Sequence, residues 1–447
     1  MRKKPFIIIG GGLAGLSTAT ELGEHSLILE KEKNIGGLVQ SSQFDGYWYD
    51  HVLHLLYFNS KNTENKIKSL LGEILKPVTS TAWVESISGT VKFPMQVNLH
   101  GLPVNVVSSC IRDLAETSYG VNKAPENFEE WLLFTFGKSL CDEFFFPYNR
   151  KMWSRDLSTL MPTNFQWNIT PPNFINVLNG ALEENNNFKA YNSNGWYPVP
   201  EKNSSNRGMS CLSHCLAKQV KNLSFSNSVK RIDIENNLIF TDSENDESCF
   251  KYEVGCIATL PLPLLIKLCD PVPMHIKEKI KKLKWNRVIS IAINIQGPRP
   301  ENMGLWRYYA DEALIFTRLI FMHEFDVFSA PDDGWGLLVE ITGRAEDEVD
   351  ENMLIERTLE DINKLSIIDN KCEIKAVNVM KADPAYVAFT SETESIVAEA
   401  RSYLESAGIY TVGRYARWEY SSMSQVMTDG FELGEKLKSK LAKDAVL

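Results

Sequence analysis

The stretch IIIGGGLAGLSTATEL, residues 7–22, constrains the fold more strongly than any other part of the sequence. The apolar run at residues 6–9 is typical of a strand that is buried on both faces of a parallel sheet. Gly10, Gly12 and Gly15 follow with the spacing G-x-G-x-x-G, and apolar residues then recur at the period of a helix. Glycines at these places permit a tight turn, close approach of the backbone to a pyrophosphate, and close packing of helix on strand. The sequence therefore predicts a Rossmann-like nucleotide-binding unit at the start of the chain.

Two later features indicate which dinucleotide this unit binds. The segment SLILE, residues 26–30, is predicted to be the second strand, and it ends at Glu30, whose carboxylate can accept hydrogen bonds from ribose hydroxyls. The segment KNIGGLVQS, with Gly36 and Gly37, resembles the second glycine motif of FAD-binding proteins of the amine oxidase and mutase superfamily. That resemblance implies FAD as the cofactor. It also implies cofactor contacts from Ala14, Lys31, Leu38 and Val229.

The composition argues against several classes of protein. The 447 residues carry a formal net charge of -10, whereas a general nucleic-acid binder needs a basic face to neutralise phosphates. The eight cysteines are scattered, so we expect neither a metal site nor a disulfide framework, and we expect a cytoplasmic protein. The apolar run near the N-terminus is too short for a secretory signal. No later run reaches the roughly 18 apolar residues of a membrane span, and we expect no such segment.

The remaining sequence predicts an α/β protein, in which a Rossmann-like FAD-binding domain contains an inserted antiparallel-sheet domain and a helical subdomain. Residues 286–343 alternate apolar and polar as in an antiparallel sheet, whereas residues 185–209 are rich in Asn, Ser, Gly and Pro and are expected to be loop. The predicted parts are 1–59, 211–275 and 401–447 for FAD binding, 60–210 for a mostly helical insertion with substrate-flap loops, and 276–400 for the antiparallel-sheet substrate domain.

The segment FPYNRKMW, residues 146–153, resembles a Pro-Tyr-Asn-x-Lys-x-Trp stretch of UDP-galactopyranose mutases, especially those of the eukaryotic type. Further segments resemble parts of that family in the same order, so that the resemblance extends over nearly the whole chain: FDGYWYDHVLHLLYF, VKFPMQVNL, LWRYYADEALIFTR, ADPAYVAFT and GIYTVGRYARWEYSSMSQ. The resemblance implies that the substrate is held by Gln96, Phe144, Tyr148, Trp153, Asn192, Trp306, Tyr308, Arg318, Tyr386 and Tyr420. It implies flavin contacts from Gly413, Arg414, Tyr420 and Gln425, and catalytic roles for His54, Arg318, Tyr386 and Tyr420.

The activity implied by this resemblance is the interconversion of pyranose and furanose forms of a nucleotide-diphosphate sugar. In that family N5 of the reduced flavin attacks the anomeric carbon, so a reductant such as NAD(P)H or a reductase is an implied partner, and assembly into a homo-oligomer stays open. Cationic and phenolic donors, here Arg318, Tyr386 and Tyr420, suit a leaving diphosphate. His54 is expected to lie at the flavin edge, and Arg414 to stabilise the anionic reduced flavin.

Three departures from the family pattern bear on the substrate. Val52 and Leu53 stand where the family has two glycines before the histidine. Asn168 stands near the place of a second diphosphate-binding arginine, for which Arg155 and Arg207 are candidate replacements. The loop EKNSSNRGMS replaces a glycine-rich loop. A site with one cation fewer is expected to hold a diphosphate less tightly, or to hold another substrate.

Alternative interpretations stay open for the residues and for the protein. The aromatic side chains at residues 144–153, expected to form a slot for uracil, also fit an apolar core, and Arg318 also fits a structural ion pair. The second functional hypothesis is an FAD-dependent oxidase, dehydrogenase or desaturase of the amine oxidase superfamily that acts on a small substrate. The third is a flavoprotein without catalytic activity. A similar fold does not decide among the three.

Overall fold

A computed structural model of the chain describes residues 2–119, 124–162, 171–184, 194–242 and 247–444. Its strands are β1 (Arg2–Ile9), β2 (Ser26–Leu29), β3 (Ser41–Phe44), β4 (Tyr47–Asp50), β5 (Leu75–Thr79), β6 (Ala82–Ser86), β7 (Gly89–Lys92), β8 (Asn194–Pro198), β9 (Leu223–Ser224), β10 (Ser228–Asp233), β11 (Leu238–Asp242), β12 (Glu247–Ala258), β13 (Cys269–Asp270), β14 (Lys284–Gln296), β15 (Trp306–Tyr309), β16 (Arg318–Phe321), β17 (Gly334–Arg344), β18 (Glu373–Ala388) and β19 (Ile409–Thr411). Its α-helices are α1 (Leu13–Leu22), α2 (Lys61–Leu71), α3 (Val104–Tyr119), α4 (Phe128–Leu140), α5 (Phe146–Trp153), α6 (Phe174–Leu182), α7 (Ser210–Ala217), α8 (Leu262–Leu268), α9 (Met274–Ile280), α10 (Met322–Phe325), α11 (Glu351–Lys364), α12 (Thr393–Ser406) and α13 (Met423–Asp444).

An eight-stranded sheet forms the nucleotide-binding part of the molecule. Its order is β13–β10–β11–β12–β1–β2–β9, and β19 pairs with β12 beside this path. Strand β1 is parallel to both β2 and β12, whereas β10 and β11 form an antiparallel hairpin. Phe6 and Ile8 enter one apolar cluster, and Ile7 and Ile9 enter another, so the strand is buried on both faces. The α/β class and the Rossmann-like unit predicted from the sequence are confirmed.

The first and last helices of the chain pack against each other at glycines. A Cβ atom added to Gly430 of α13 would lie 2.8 Å from the carbonyl oxygen of Ala14 and 2.8 Å from the Cβ of Ser17, both on α1. A Cβ added to Gly434 would lie 2.7 Å from the Cβ of Glu21. The two helices therefore approach so closely that α13 needs glycine at both places.

A seven-stranded sheet forms the second part, in the order β18–β14–β17–β16–β15–β6–β7. Neighbouring strands are antiparallel, except that β15 is parallel to β6. The long central strand β14 is buried on both faces, since Ile291 and Ile293 pack into one apolar cluster and Ala292 into another. Strands β6 and β7 come from the range 60–210, which was expected to be mostly helical.

Helices α3 to α6 form the helical part, which shares an apolar cluster with the edge of the seven-stranded sheet. The side chain of Asn127 accepts a hydrogen bond from the backbone of Glu130 and so begins α4. The prediction of loop throughout residues 185–209 is wrong at Asn194–Pro198, which forms β8 and pairs antiparallel with β5. This strand forms because Tyr197 is buried and donates a hydrogen bond to Asp50 at 2.8 Å.

Candidate active site

Two of the three motif glycines are required by the packing of the protein itself. Gly10 has φ +100°, and a Cβ there would lie 2.2 Å from the hydroxyl oxygen of Thr259. A Cβ on Gly15 would lie 2.1 Å from the carbonyl oxygen of Gly10. Since neither place accepts a side chain, these two glycines fix the turn and the close approach of α1 to β1.

Gly12 differs, because the protein leaves open space beside it. The nearest atom to a Cβ on Gly12 is the carbonyl oxygen of Gly36, at 4.0 Å. Gly36 forms a bridge with Gly12 and donates its N–H to the carbonyl of Gly11 at 2.9 Å, which lays the second glycine segment along the first. A Cβ on Gly37, where φ is +59°, would lie 3.4 Å from the Cα of Gly12. This glycine-lined space at the N-terminus of α1 fits the pyrophosphate of FAD.

Glu30 closes the other side of this cradle at the end of β2. Its side chain is buried, Oε2 accepts a hydrogen bond from the N–H of Gly11 at 2.7 Å, and Oε1 accepts one from the N–H of Glu32 at 2.9 Å. A carboxylate has about four acceptor positions, so both oxygens keep capacity for ribose hydroxyls. Lys31 is exposed and pairs with Glu32, while Val229 lies half-buried on β10.

The C-terminal segment returns to the same region. Gly413 has φ +89°, and a Cβ there would lie 2.7 Å from the Cβ of Ala14. The next residue, Arg414, donates from Nη2 to the carbonyl of Ala385 at 3.0 Å, and its Cζ lies 4.2 Å from the ring centre of Tyr420. The structure thereby brings the predicted contacts at positions 413, 414 and 420 to one place.

Gln425 and Leu38, two further predicted cofactor contacts, are in contact with side chains of the protein. The amide oxygen of Gln425 accepts a hydrogen bond from Asn59 at 2.5 Å, and its amide nitrogen donates one to Asp429 at 2.7 Å. Leu38 packs in a small apolar cluster that includes Val52 and Tyr386. Val52, which replaces a family glycine, is therefore accommodated by apolar contacts.

Arg318 and Glu340 form a buried ion pair across neighbouring strands. They are directly opposed in the register of β16 and β17, and their side chains are only 9% and 6% exposed. Nε and Nη2 of Arg318 each donate to one carboxylate oxygen at 2.7 Å, and Nη2 also lies 3.4 Å from the carbonyl oxygen of Leu53. Sequence reasoning missed Glu340. The signal available was a single acid in the apolar strand GWGLLVEIT, since a charge buried in an apolar strand needs an opposite charge.

Four tyrosines surround this ion pair and Arg414, and all four pack against the apolar cluster of the helical part. The rings of Tyr148 and Tyr308 meet at 5.6 Å and 90°, and those of Tyr386 and Tyr420 stack at 6.1 Å and 21°. The Cζ of Arg318 lies 6.0 Å from the Tyr308 ring. Burial raises the pKa of all four phenols, that of Tyr386 to about 12, so each hydroxyl is a neutral donor at pH 7.

His54 lies within the field of these charges. Its side chain keeps solvent access although it is largely surrounded by protein. Burial lowers the pKa of His54 to about 4, and the positive charge of Arg318 acts in the same direction. The imidazole is therefore neutral at pH 7, and the two guanidinium groups and one carboxylate give the cluster one net positive charge.

The other predicted substrate contacts lie around this cluster. Phe144 and Trp153 are buried in the core of the helical part, where Phe144 stacks on Tyr148 at 5.0 Å and Trp153 meets Tyr386 at 6.3 Å. Trp306 is buried, with its ring 6.5 Å from that of Tyr308. Gln96 is buried in the short turn Met95–Val97. Asn192 and Asn168 lie outside the described residues.

Both candidates for the second diphosphate-binding arginine are paired with carboxylates. Arg155 forms a two-point ion pair with Glu346 at 2.8 and 2.9 Å, which lowers the pKa of that carboxyl to about 2. Arg207 is fully buried and pairs with Asp326 at 2.5 Å. Each guanidinium thus has a structural carboxylate partner, which argues against either one as the replacement for the arginine near position 168.

A scan of the described ranges for other site types gives two results. They contain no group of three or more His, Cys, Asp or Glu side chains placed to hold a metal ion. In the same ranges no helix has both the length and the apolar character that crossing a bilayer requires.

The fold is similar to that of several solved proteins. Residues 8–74 match the NAD(P)-binding Rossmann-like domain family. Over 98% of its length the chain superposes on 96% of a reduced UDP-galactopyranose mutase, with TM-score 0.89 and 19% identity. A putative protoporphyrinogen oxidase from Exiguobacterium sp. 255-15 superposes with TM-score 0.70 and 15% identity over 98% of this chain and 99% of the other. A putrescine oxidase superposes with TM-score 0.67 and 13% identity over 99% of both chains. The chain therefore has the fold of UDP-galactopyranose mutase, which confirms the resemblance at the level of the fold.

Two curated relatives match parts of the sequence. A probable UDP-galactopyranose mutase from Klebsiella pneumoniae is 25% identical over 171 residues, which are 36% of this chain and 44% of that protein. An uncharacterized protein in the nifH2 3' region of Methanothermococcus thermolithotrophicus is 42% identical over 53 residues, 11% of this chain and 51% of the other. The matched part of the chain spans about half the length of these relatives.

Proposed function

We propose that this chain is an FAD-dependent, mutase-like enzyme that interconverts pyranose and furanose forms of a nucleotide-diphosphate sugar. The observation that carries the proposal is the cluster of Arg318, Arg414 and four neutral tyrosine hydroxyls beside a cradle that fits FAD. The likeness in fold to a reduced UDP-galactopyranose mutase supports it. In this proposal the glycine cradle holds the pyrophosphate of FAD, Glu30 holds the adenosine ribose, and the reduced cofactor supplies the nucleophilic nitrogen N5.

The protein's own groups act on the leaving diphosphate. The phenols of Tyr308, Tyr386 and Tyr420 donate hydrogen bonds without carrying charge, because burial holds their pKa values above 10. Arg318 donates to the phosphate oxygens from the part of its guanidinium that does not contact Glu340. His54 is neutral, so it orients the flavin edge without competing with the arginines for the diphosphate. Displacement of the diphosphate is favoured because these donors are in place before the charge develops.

Two further parts of the proposal concern the protein's surroundings. A reductant such as NAD(P)H or a reductase must keep the flavin reduced. All eight cysteines are free thiols, which supports a reducing compartment such as the cytoplasm.

The proposal is tested by anaerobic incubation of the FAD-loaded protein with UDP-, dTDP- and GDP-linked pyranoses and furanoses. One arm contains flavin reduced with dithionite and the other contains oxidised flavin, and products are separated by chromatography and identified by NMR. We expect an isomer of unchanged mass in the reduced arm alone. The absence of isomer from both arms, for every sugar in the panel, would contradict the proposal for those substrates.

A second candidate function is that of an FAD-dependent oxidoreductase acting on a small substrate. It is favoured by the finding that Arg155 and Arg207 are both engaged by carboxylates, and that Arg318 shares its charge with Glu340. The oxidases of similar fold are in accord with it. In the same experiment this function predicts that a substrate bleaches the oxidised flavin under anaerobic conditions and that no isomer forms.

A further inference from the structure

Lys151 belongs to the segment FPYNRKMW but has no part in the function proposed above. It lies half-buried on α5, with its Nζ 2.7 Å from the carbonyl oxygen of Phe316, 2.8 Å from that of Asp311 and 3.5 Å from that of Leu314. An ammonium group has three N–H donors, so it matches a set of three carbonyls. Burial lowers the pKa of Lys151 to about 8, which leaves the group protonated at pH 7.

All three acceptors belong to the loop at residues 310–317, which joins β15 to β16. This loop begins two residues after Tyr308 and ends directly before Arg318, so a shift of the loop is expected to affect both side chains. Lys151 itself is three residues after Tyr148 on α5, and residues at this spacing lie on the same face of a helix. Lys151 therefore links the helix that bears Tyr148 to the loop between Tyr308 and Arg318.

The opposite side of the same loop is held by α11. The N–H of Ile315 donates to Asp361 at 2.9 Å, and Nη2 of Arg357 donates to the carbonyl of Ala313 at 2.7 Å. Because these bonds do not involve Lys151, they should keep the loop folded when Lys151 is replaced. Loss of Lys151 should then change the position of the loop relative to α5 and leave the fold intact.

We propose that Lys151 is a positioning residue, which fixes how Tyr148 on α5 packs against Tyr308 and where it lies relative to Arg318. The effect on substrate binding rests on the proposed function, whereas the effect on the loop does not. Weakening of one charge-assisted hydrogen bond to the diphosphate by about 1.4 kcal/mol corresponds to about tenfold weaker binding of UDP, which is the expected scale.

The test compares Lys151→Met with the control variant Arg150→Met in FAD-loaded protein. Arg150 is on the same helix and lies 3.6 Å from Glu312 of the same loop, but both side chains are about half exposed. Three quantities are measured: the amide hydrogen exchange of residues 311–317, the dissociation constant for UDP, and the FAD content. For Lys151→Met we expect about tenfold faster exchange, about tenfold weaker UDP binding and unchanged FAD content. For Arg150→Met we expect all three within twofold of wild type.

Lys151→Gln serves if the methionine variant does not fold, since the amide keeps two N–H donors and loses the charge. We expect it to fall between wild type and the methionine variant. Exchange and UDP affinity within twofold of wild type in a Lys151 variant would overturn the proposal, and so would equal effects of the Arg150 variant. If wild-type protein binds none of UDP, dTDP and GDP, the proposed function and the substrate role of Lys151 are both refuted. Faster amide hydrogen exchange in the Lys151 variant would then still show that Lys151 stabilises the loop at residues 310–317.

Discussion

The buried pair Arg318–Glu340 allows the strongest test of the site, by a double-mutant cycle. The variants are Arg318→Leu, Glu340→Leu and the double replacement, all in FAD-loaded protein. Each single change leaves one charge without its partner, and in wild type both side chains of the pair are less than 10% exposed. The double change removes both charges. It leaves two leucines opposed on β16 and β17, where the neighbouring side chains of both strands are apolar.

The size of each effect follows from this burial. Removing one member of a buried ion pair costs about 3–5 kcal/mol of folding free energy, because the remaining charge has lost its partner. Replacing both members by apolar groups is often neutral or stabilising. The double variant should thus be more stable than either single variant, with a coupling free energy of about 3 kcal/mol or more.

The assay is urea unfolding followed by tryptophan fluorescence and by release of FAD. Single changes that cost less than about 1 kcal/mol each and are additive would show that the pair is solvated and would refute the argument. The same variants test function. We expect both variants that lack Arg318 to bind UDP at least about tenfold more weakly while retaining FAD, since a charge-assisted bond to a phosphate contributes about 1.5–3 kcal/mol.

Two further predictions concern the cofactor site. Gly12→Val should abolish retention of FAD with little change in the unfolding midpoint of the apoprotein, because the side chain enters the space left for the cofactor. Gly15→Ala should lower that midpoint, because its Cβ meets a carbonyl oxygen at 2.1 Å. Equal midpoints for the two variants, or a Gly12→Val protein fully loaded with FAD, would contradict these different roles of the two glycines. His54 has a folded pKa of about 4, below its usual value of 6.5, so wild type should lose stability as the pH falls from about 6.5 to 4, because protons bind preferentially to the unfolded chain. Unfolding midpoints of wild type and His54→Gln at pH 7, 5.5 and 4.5 measure this, and parallel curves would disprove the assignment.

The cofactor cradle could be predicted from the sequence because its geometry is local. The spacing of Gly10, Gly12 and Gly15 specifies the turn without reference to the rest of the chain, and the burial of the first strand on both faces follows from its apolar run. The roles of the three glycines were less accessible. Only the positions of Thr259 and Gly36 distinguish a glycine required for packing from one that leaves room for a cofactor.

The substrate side depends on contacts between distant segments. Arg318 faces Glu340 because of the register between two strands, whereas the sequence indicated only that Arg318 also fits a structural ion pair, without its partner. An apolar core and an aromatic slot produce the same sequence pattern at Phe144 and Trp153. Only the structure shows that both side chains are buried. The sequence left Arg155 as a candidate ligand of the diphosphate. Its carboxylate partner Glu346 is distant in sequence, so only the structure shows that the two are paired.

The contact between the first and last helices has a consequence for biosynthesis. The glycine turn emerges from the ribosome well before α13, but α1 gains its packing at Gly430 and Gly434 only when α13 has been synthesised. The nucleotide-binding sheet is likewise completed by β19, near the end of the chain. Because domains otherwise tend to fold from the N-terminus as they are made, this one must wait for its C-terminus. Nascent chains that stop before residue 423 should therefore present the glycine motif without holding the cofactor.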